Sequence, residues 1–389
     1  MSEPLNREAW LDALRERIAE ITPVQALAQQ AQGALLVDVR EDAERATGMP
    51  ANALGLSRGF LELRIEQIEA DRNRPLLLLC GSGQRSLLAA EALLRMGYRQ
   101  VSSVAGGFGR WKTEGLPISS GTLDVDAVDR YARQLRLPQV GEAGQARLTA
   151  AKVVVLGAGG LGAPVALYLA AAGVGKLTLI DDDKVERSNL HRQIIHADAR
   201  VGMAKTESAR IALQALNPRI RIETCTERLQ ANNVERLLAG HDLLIDGADN
   251  FPARYLLAAA SLRLKMPMVY GAVERFTGQV SVFDPRRDDS PCYRCLFPEP
   301  PAATDAPNCS EAGVLGVLPG MVGLLQATEA LKLLLELGEP LVGRLLAFDA
   351  LGMHFRETRL PRDPDCPGCG RAVVFRGYED IAELCAAAN

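Results

Sequence analysis

Residues 153–162 are Val-Val-Val-Leu-Gly-Ala-Gly-Gly-Leu-Gly, an apolar run that leads directly into a G-x-G-x-x-G turn. A helix-like segment follows, and a second apolar run, Leu177–Ile180, ends on Asp181. Glycines in such a turn let the backbone approach a phosphate, a helix N-terminus offers free N–H groups, and the acid can hold ribose hydroxyls. The stretch predicts a parallel α/β sheet with a nucleotide site formed by Gly157, Gly159, Gly160, Gly162 and Asp181.

The polar residues after this stretch narrow the class of ligand. Asp183, Asn189, Arg192 and Lys205 follow Asp181, and Asp249 lies further along in Asp-Gly-Ala-Asp-Asn. Cations at these positions can neutralise a triphosphate, which hydride transfer does not need. The pattern therefore favours an enzyme that splits ATP over an NAD-dependent oxidoreductase.

In combination these motifs resemble the ubiquitin-activating-enzyme superfamily, and within it the bacterial adenylyltransferases of molybdopterin and thiamine synthesis. The resemblance covers roughly residues 128–372. It implies ATP and Mg²⁺ as cofactors and a homodimer as the working unit. The implied site residues are Asp181 on the ribose, Asp183, Asn189, Arg192 and Lys205 at the nucleotide, Asp249 on the metal, and Arg133 reaching the phosphates in the partner subunit.

A cysteine lies at the end of another apolar run. The segment 80–86 is Cys-Gly-Ser-Gly-Gln-Arg-Ser, so the Cys80 thiol should feel the helix N-terminus and the charge of Arg85, both of which lower a thiol pKa. The segment resembles the active loop of rhodanese domains, C-x-x-G-x-R-[ST], at Cys80, Gly83, Arg85 and Ser86. That resemblance implies a persulfide on Cys80, loaded by a donor such as a cysteine desulfurase. A buried, inert cysteine is the alternative.

Two C-x-x-C pairs, Cys292/Cys295 and Cys366/Cys369, predict a metal site. Four thiolates form a closed tetrahedral Zn²⁺ site, so the expected role is structural. Redox pairs or free thiols are the alternatives.

A further cysteine, Cys309, follows the proline-rich segment 298–303, which is expected to be a mobile loop. The superfamily resemblance implies a thiol here that can bond to a carrier protein, and the alternative is a thiol without a catalytic role.

Composition and charge indicate the cellular compartment and the classes of partner. The chain has 389 residues, a formal charge of −4 and eight cysteines, without a signal-like N-terminus or a Lys/Arg run. We expect a cytoplasmic protein that binds no nucleic acid. The uncharged stretch 312–328 is interpreted as a pair of buried helices and not as a membrane span.

The predicted fold is α/β in both halves, a rhodanese-like domain followed by a Rossmann-like adenylation domain with a structural zinc site. A helical extension is expected over 1–19, with a helix at 7–19. The rhodanese-like domain spans 20–117, a linker 118–127, the adenylyltransferase domain 128–375 and a tail 376–389.

The resemblance implies adenylation of the C-terminus of a ubiquitin-like sulfur carrier, most simply the small subunit of molybdopterin synthase, and sulfur transfer from Cys80 to form a thiocarboxylate. Cys309 or a reductant would release the product. A thiamine-pathway or other sulfur carrier is the first alternative, and a sulfur-delivery scaffold without ATP chemistry is a more distant one.

Overall fold

A computed structural model describes residues 6–45, 48–119, 123–300 and 313–381. The chain divides into two compact units, Met1–Leu135 and Arg136–Asn389. Each unit has its own sheet and its own hydrophobic core.

The first unit is built on a five-stranded parallel sheet in the order β1-β6-β5-β2-β4, with a separate two-stranded ribbon of β3 and β7. The central strand β5 is apolar and fully buried because helices cover both faces of the sheet. The strands are β1 (Ala19–Ile21), β2 (Leu35–Asp38), β3 (Met49–Pro50), β4 (Leu54–Gly55), β5 (Leu76–Leu79), β6 (Val101–Val104) and β7 (Ile118–Ser119).

Eight helices of this unit lie within the residues described. They are α1 (Arg7–Arg15), α2 (Pro23–Ala31), α3 (Asp42–Arg45), α4 (Leu61–Ile68), α5 (Gln84–Arg95), α6 (Gly107–Thr113), α7 (Val125–Arg130) and α8 (Ala132–Leu135). Thr22 begins α2 with a reciprocal capping box to Gln25, which satisfies two backbone N–H groups that the helix leaves open.

Two segments differ from the sequence-based expectation. The helix expected over 7–19 ends at Arg15, because Ala19–Ile21 pairs with β6 and becomes the edge strand of the sheet. Residues 118–119 and 123–127, the described part of the predicted linker, include regular secondary structure. Ile118–Ser119 pairs with Met49–Pro50, and Asp124 caps α7 by accepting a hydrogen bond from the Ala127 N–H.

The second unit has an eight-stranded mixed sheet in the order β10-β9-β8-β11-β12-β13-β14-β15. The pairs from β10 to β12 are parallel, and those from β12 to β15 are antiparallel. The strands are β8 (Lys152–Leu156), β9 (Lys176–Ile180), β10 (Arg221–Cys225), β11 (Leu243–Asp246), β12 (Met268–Glu274), β13 (Thr277–Phe283), β14 (Arg344–Asp349) and β15 (His354–Arg359).

The helices of the second unit within the described residues are α9 (Gly141–Ala150), α10 (Gly162–Ala172), α11 (Lys205–Leu216), α12 (Val234–Leu238), α13 (Phe251–Leu264), α14 (Tyr293–Leu296) and α15 (Val317–Leu335). The expected pair of buried helices is wrong, since Val317–Leu335 is one continuous helix. By length and composition α15 could cross a membrane. It instead packs against α10 and the sheet, and it buries Leu318, Val322 and Ala330 in the core.

Candidate active site

The glycine turn lies where β8 ends and α10 begins. Gly157 has a φ of +88°, and a Cβ there would come within 2.5 Å of the Gly247 carbonyl oxygen. A Cβ at Gly162 would overlap the Gly157 carbonyl. Both positions therefore require glycine, because main chain approaches main chain at this turn.

A cavity of about 610 Å³ opens beside this turn, at the carboxyl ends of β8, β9 and β11. Ligands of open α/β sheets bind at this edge. Eight of the predicted nucleotide-site residues line the cavity, namely Gly157, Gly159, Gly160, Asp181, Asp183, Arg192, Lys205 and Asp249. The structure thus brings together residues spread over more than ninety positions of sequence.

Asp181 is held rigidly at the end of β9. Its carboxylate accepts hydrogen bonds from the Ala158 N–H at 2.7 Å and from the Asp183 N–H at 2.9 Å. Burial raises the pKa of Asp181, and the charge of Lys205 opposes that shift. The carboxylate is therefore fixed between the glycine turn and the next loop.

The two predicted cations have different partners. The buried Lys205 ammonium pairs with Asp183 at 2.7 Å. Arg192 donates to the Asn189 side-chain oxygen at 3.1 Å and to the Ser188 carbonyl at 3.2 Å. Asn189 is absent from the cavity lining and instead orients the Arg192 guanidinium. Arg192 Nη1 also lies 3.0 Å from His191 Nε2, and no carboxylate among the described residues forms an ion pair with Arg192, so its charge is available to a ligand.

Asp249 is exposed at the cavity and accepts a hydrogen bond from the Asn250 side-chain amide at 3.2 Å. Mg²⁺ prefers carboxylate and phosphate oxygens together with water. The Asp249 carboxylate is accessible, and the same cavity holds the cations of Arg192 and Lys205. This arrangement fits a Mg²⁺ ion that a phosphate ligand also binds. The carboxylates of Asp181, Asp182 and Asp183 form a second acidic group, all within 4.8 Å of one another.

A second loop, Gly247–Asn250, also lines the cavity and is anchored at Ala248. The Ala248 N–H donates to the Asp246 carboxylate at 3.0 Å, and the Ala248 carbonyl accepts from Arg254 at 2.8 Å. Asp246 is fully buried, and burial raises its pKa to about 6. Asp246 and Arg254 together fix Ala248, the residue immediately before Asp249.

Sequence analysis missed several residues of the cavity. The sequence predictions did not include Gln193, although it follows Arg192 directly and its buried side chain lines the cavity. Asp380 and Ile381, from the tail, also line it, and Asp380 accepts a hydrogen bond from the Ala231 N–H at 2.8 Å. No periodicity in the tail indicated this return to the nucleotide site.

In the first unit, Cys80 follows β5 and is buried. Its sulfur accepts a hydrogen bond from the Gly83 N–H at 3.1 Å and lies 3.5 Å from the Ser86 hydroxyl. Ser86 donates to the Gly83 carbonyl at 3.0 Å and accepts from Ser103 at 2.8 Å. The loop is thus a small cup around the sulfur, formed by the predicted residues Cys80, Gly83 and Ser86.

Arg85 departs from the expected arrangement. Its guanidinium forms a two-pronged ion pair with Glu44, with both nitrogen–oxygen distances 2.6 Å. The hydrogen bond from Arg85 lowers the pKa of Glu44 to about 2. Glu44, 41 positions away in sequence, therefore shares the charge of Arg85 with the Cys80 thiol.

The two cysteine pairs meet in the second unit. The sulfurs of Cys292, Cys295, Cys366 and Cys369 all lie within 4.8 Å of one another. The Cys292–Cys366 and Cys295–Cys369 sulfur distances are 3.6 and 3.5 Å. A tetrahedron with Zn–S bonds of about 2.3 Å places its sulfurs about 3.8 Å apart, so these thiolates fit Zn²⁺ closely. The cluster agrees with the predicted structural zinc site.

The structure does not place two of the predicted site residues, Cys309 and Arg133, at the cavity. Cys309 lies outside the residues that the structure describes. Arg133 is exposed on α8 in the first unit. Their roles stay predictions.

Comparison with protein families identifies both parts of the chain. The ThiF family model matches residues 131–368, and the rhodanese-like domain model matches residues 22–114. The chain belongs to the ThiF family and carries a rhodanese-like domain ahead of it.

Relatives with established names agree with this assignment. The SAMP-activating enzyme E1 of Haloferax volcanii is 50% identical over 267 residues, which is 68% of this chain and 97% of the relative. The sulfur carrier protein adenylyltransferase of Thermus thermophilus is 49% identical over 67% of this chain and 97% of the relative. The mouse adenylyltransferase and sulfurtransferase MOCS3 is 45% identical over 68% of this chain but only 57% of its own length. These findings confirm the predicted family, fold class and type of enzyme.

Solved structures show the same fold at lower identity. The crystal structure of E. coli MccB with AMPCPP and MccA matches with a TM-score of 0.56 and 22% identity, over 68% of this chain and 80% of that one.

Proposed function

We propose that this protein uses ATP to adenylate the C-terminal carboxylate of a ubiquitin-like sulfur carrier and then transfers sulfur to it from Cys80. The observation that carries the proposal is the cavity at the strand ends, where the glycine turn, Asp181, Arg192, Lys205 and Asp249 converge. The relatives named as sulfur carrier adenylyltransferase and as adenylyltransferase and sulfurtransferase support it.

In the first step the carrier carboxylate attacks the α-phosphorus of ATP. A carboxylate oxygen–phosphorus bond forms, the bond between the α- and β-phosphates breaks, and pyrophosphate leaves. Arg192 and Lys205 stabilise the negative charge that grows on the departing phosphates, and Asp181 orients the ribose. Asp249 is the residue that would hold Mg²⁺, which when bound neutralises phosphate charge.

In the second step the outer sulfur of a Cys80 persulfide attacks the acyl carbon, and AMP leaves. The product is an acyl disulfide between the carrier and Cys80. A thiol then reduces the sulfur–sulfur bond, so the carrier leaves as a thiocarboxylate and the thiol is oxidised to a disulfide. Cys309 is the candidate for this thiol, and an external reductant is the alternative. A cellular dithiol reductant then reduces this disulfide and frees the Cys80 thiol, and a persulfide donor such as a cysteine desulfurase reloads it.

The decisive experiment is pyrophosphate–ATP exchange with purified carriers. Exchange should require a carrier with a free C-terminal carboxylate, and a carrier shortened at that end should not support it. A panel from the molybdopterin, thiamine and other sulfur-relay routes identifies the substrate. Exchange that is indifferent to every carrier, or absent with all of them, would contradict the proposal.

We further propose a cytoplasmic homodimer in which Arg133 completes the site of the opposite subunit. Arginine suits this role because its fork stays charged and can pair with two phosphate oxygens. Mixing inactive Arg133→Ala and Asp249→Ala proteins tests it. If Arg133 acts in trans, each mixed dimer has one intact site, and random exchange restores up to about a quarter of wild-type activity. Confirmed subunit exchange without recovery would contradict a role in trans.

A further inference from the structure

His196 is a buried histidine that links two parts of the nucleotide site. It is 7% exposed, with Nε2 3.0 Å from the Ala158 carbonyl oxygen and Nδ1 2.9 Å from the Ser208 hydroxyl. A carbonyl oxygen can only accept, so Nε2 must carry the proton. In the neutral ring Nδ1 is then an acceptor for the Ser208 hydroxyl proton.

The surroundings keep this ring neutral at physiological pH. Burial lowers the pKa of His196 to about 4, and the positive charges of Lys205 and Arg200 act in the same direction. A neutral ring with a proton on Nε2 has one donor and one acceptor, and both are engaged in the structure.

The two partners of His196 belong to two different elements, the glycine turn and α11, and each element contributes residues that line the cavity. Ala158 lies within the glycine turn, and its N–H is already held by Asp181. Ser208 is fully buried near the start of α11, the helix whose first residue is Lys205. His196 therefore fixes the carbonyl side of the turn and connects it to the helix that carries a phosphate-binding cation.

The second cavity loop has the same design, which argues that anchoring is functional. Ala248 is held on its N–H by Asp246 and on its carbonyl by Arg254. Ala158 is held on its N–H by Asp181 and on its carbonyl by His196. Each loop thus has one alanine residue fixed from both sides, directly beside residues that line the cavity.

We propose that His196 is a positioning residue for nucleotide binding, which holds the glycine turn at a fixed place relative to Lys205. This proposal rests on the proposed function for the exchange assay, but the expected loss of ATP affinity can be measured without a carrier. His196 touches no reacting atom in this proposal. Its loss should therefore weaken binding of ATP more than it slows the chemical step.

Two substitutions separate the hydrogen bonds of the ring. His196→Gln keeps a donor near the position of Nε2, and His196→Asn keeps a polar group near Nδ1 but cannot reach Ala158. In carrier-dependent exchange we expect His196→Asn to raise KM for ATP about tenfold, equivalent to about 1.4 kcal/mol, with kcat changed less than about threefold. His196→Gln should return KM to within about threefold of wild type.

His241 provides a matched control. It is also partly buried, its pKa is also lowered by burial, and it bonds to Thr178 at 2.8 Å and to the Leu238 carbonyl at 3.0 Å. It does not line the cavity. His241→Asn should lower thermal stability and leave KM for ATP unchanged.

Two measurements do not depend on the carrier. Calorimetric titration of ATP into the full protein should show weaker binding for His196→Asn and recovery for His196→Gln, even if no carrier supports exchange. Long-range ¹H–¹⁵N spectra of histidine-labelled wild type should show the Nε2–H form of His196. Recovery in binding together with absent exchange would overturn the carrier assignment and leave the role of His196 intact.

The opposite results would overturn the role of His196. Unchanged ATP affinity in both variants together with a lowered Tm would mean that His196 contributes only to stability. A fall in kcat at constant KM would mean that it acts on the reacting groups. An Nδ1–H ring in wild type would also overturn the proposal, and this outcome is readable even if the variants do not fold.

Discussion

The loops at Cys80–Ser86 and at Gly157–Gly162 occupy the same position between a strand and a helix, but they surround different groups. Each follows a buried apolar strand, β5 or β8, and each leads into a helix. In the first loop the Gly83 N–H is taken by the Cys80 sulfur. In the second, Gly157, Gly159 and Gly160 face a cavity of about 610 Å³. The same local geometry thus holds a group of the chain itself in one unit and leaves room for a diffusing ligand in the other.

The arginine residues near the two loops also differ in their partners. Arg85 is satisfied by an ion pair with Glu44, so the cup needs no ligand to balance its cation. At the cavity, Arg192 is oriented by the neutral groups of Asn189 and Ser188. A cation that forms no ion pair with a carboxylate in the described part of the chain keeps its attraction for phosphate.

The largest expected effect tests whether the two loops do separate chemistry. Cys80→Ala should abolish thiocarboxylate formation, since it removes the nucleophile, and should leave carrier-dependent exchange within about twofold of wild type. Mass spectrometry of the carrier and exchange of labelled pyrophosphate measure the two activities. Loss of exchange in a folded Cys80→Ala protein would contradict the separation of the sites.

The converse substitutions should act only on the cavity. Asp249→Ala should remove exchange almost entirely, and Arg192→Ala should slow it by about 10²–10³, as for loss of one preorganised charge-stabilising group. Sulfur transfer from thiosulfate to cyanide, which needs only the cysteine loop, should persist in both variants. Near-normal exchange in both would refute the assignment of the cavity.

The metal cluster should affect stability before chemistry. Cys366→Ser should release Zn²⁺ and lower the Tm of the second unit by roughly 10 °C, because metal binding contributes directly to folding. Metal analysis and calorimetry measure the loss. Both tryptophans, Trp10 and Trp111, lie in the first unit, so the unfolding transition seen by tryptophan fluorescence should not move. Gently purified wild type without zinc would contradict the site.

The smallest effect concerns the ion pair beside the cysteine loop. The pKa of Glu44 is lowered in the folded state to about 2, from an ordinary value of 4.5. Its contribution to stability is therefore complete above pH 4.5 and lost as the pH falls towards 2. Since both side chains are about 40% exposed, we expect less than about 1 kcal/mol.

Tryptophan fluorescence during urea unfolding tests this effect. The difference in free energy of unfolding between wild type and Glu44→Gln should shrink as the pH falls through this range. A difference that grows on acidification would contradict the sign of the pKa shift.

Sequence reasoning succeeded where function depends on short segments. The apolar strands, the glycine turn and the spaced cysteines are local patterns, and they predicted the α/β fold, eight of the residues that line the cavity and the metal cluster. It failed where a contact joins distant residues. Nothing near Arg85 indicates Glu44, nothing in the tail indicates that Asp380 returns to the cavity, and the link from His196 to Ala158 spans 38 positions. Such contacts are fixed by tertiary packing, to which local propensity is blind.

The close approach of the two cavity loops limits how this site can evolve. A Cβ at Gly157 would meet the Gly247 carbonyl oxygen at 2.5 Å, and a Cβ at Gly247 would meet the Leu156 carbonyl oxygen at 2.6 Å. In both cases the obstacle is main chain, which no change of amino-acid type can remove. Drift at either glycine therefore has no compensating mutation within reach. In descendants of this sequence the side chains that line the cavity can change, whereas Gly157 and Gly247 should be retained.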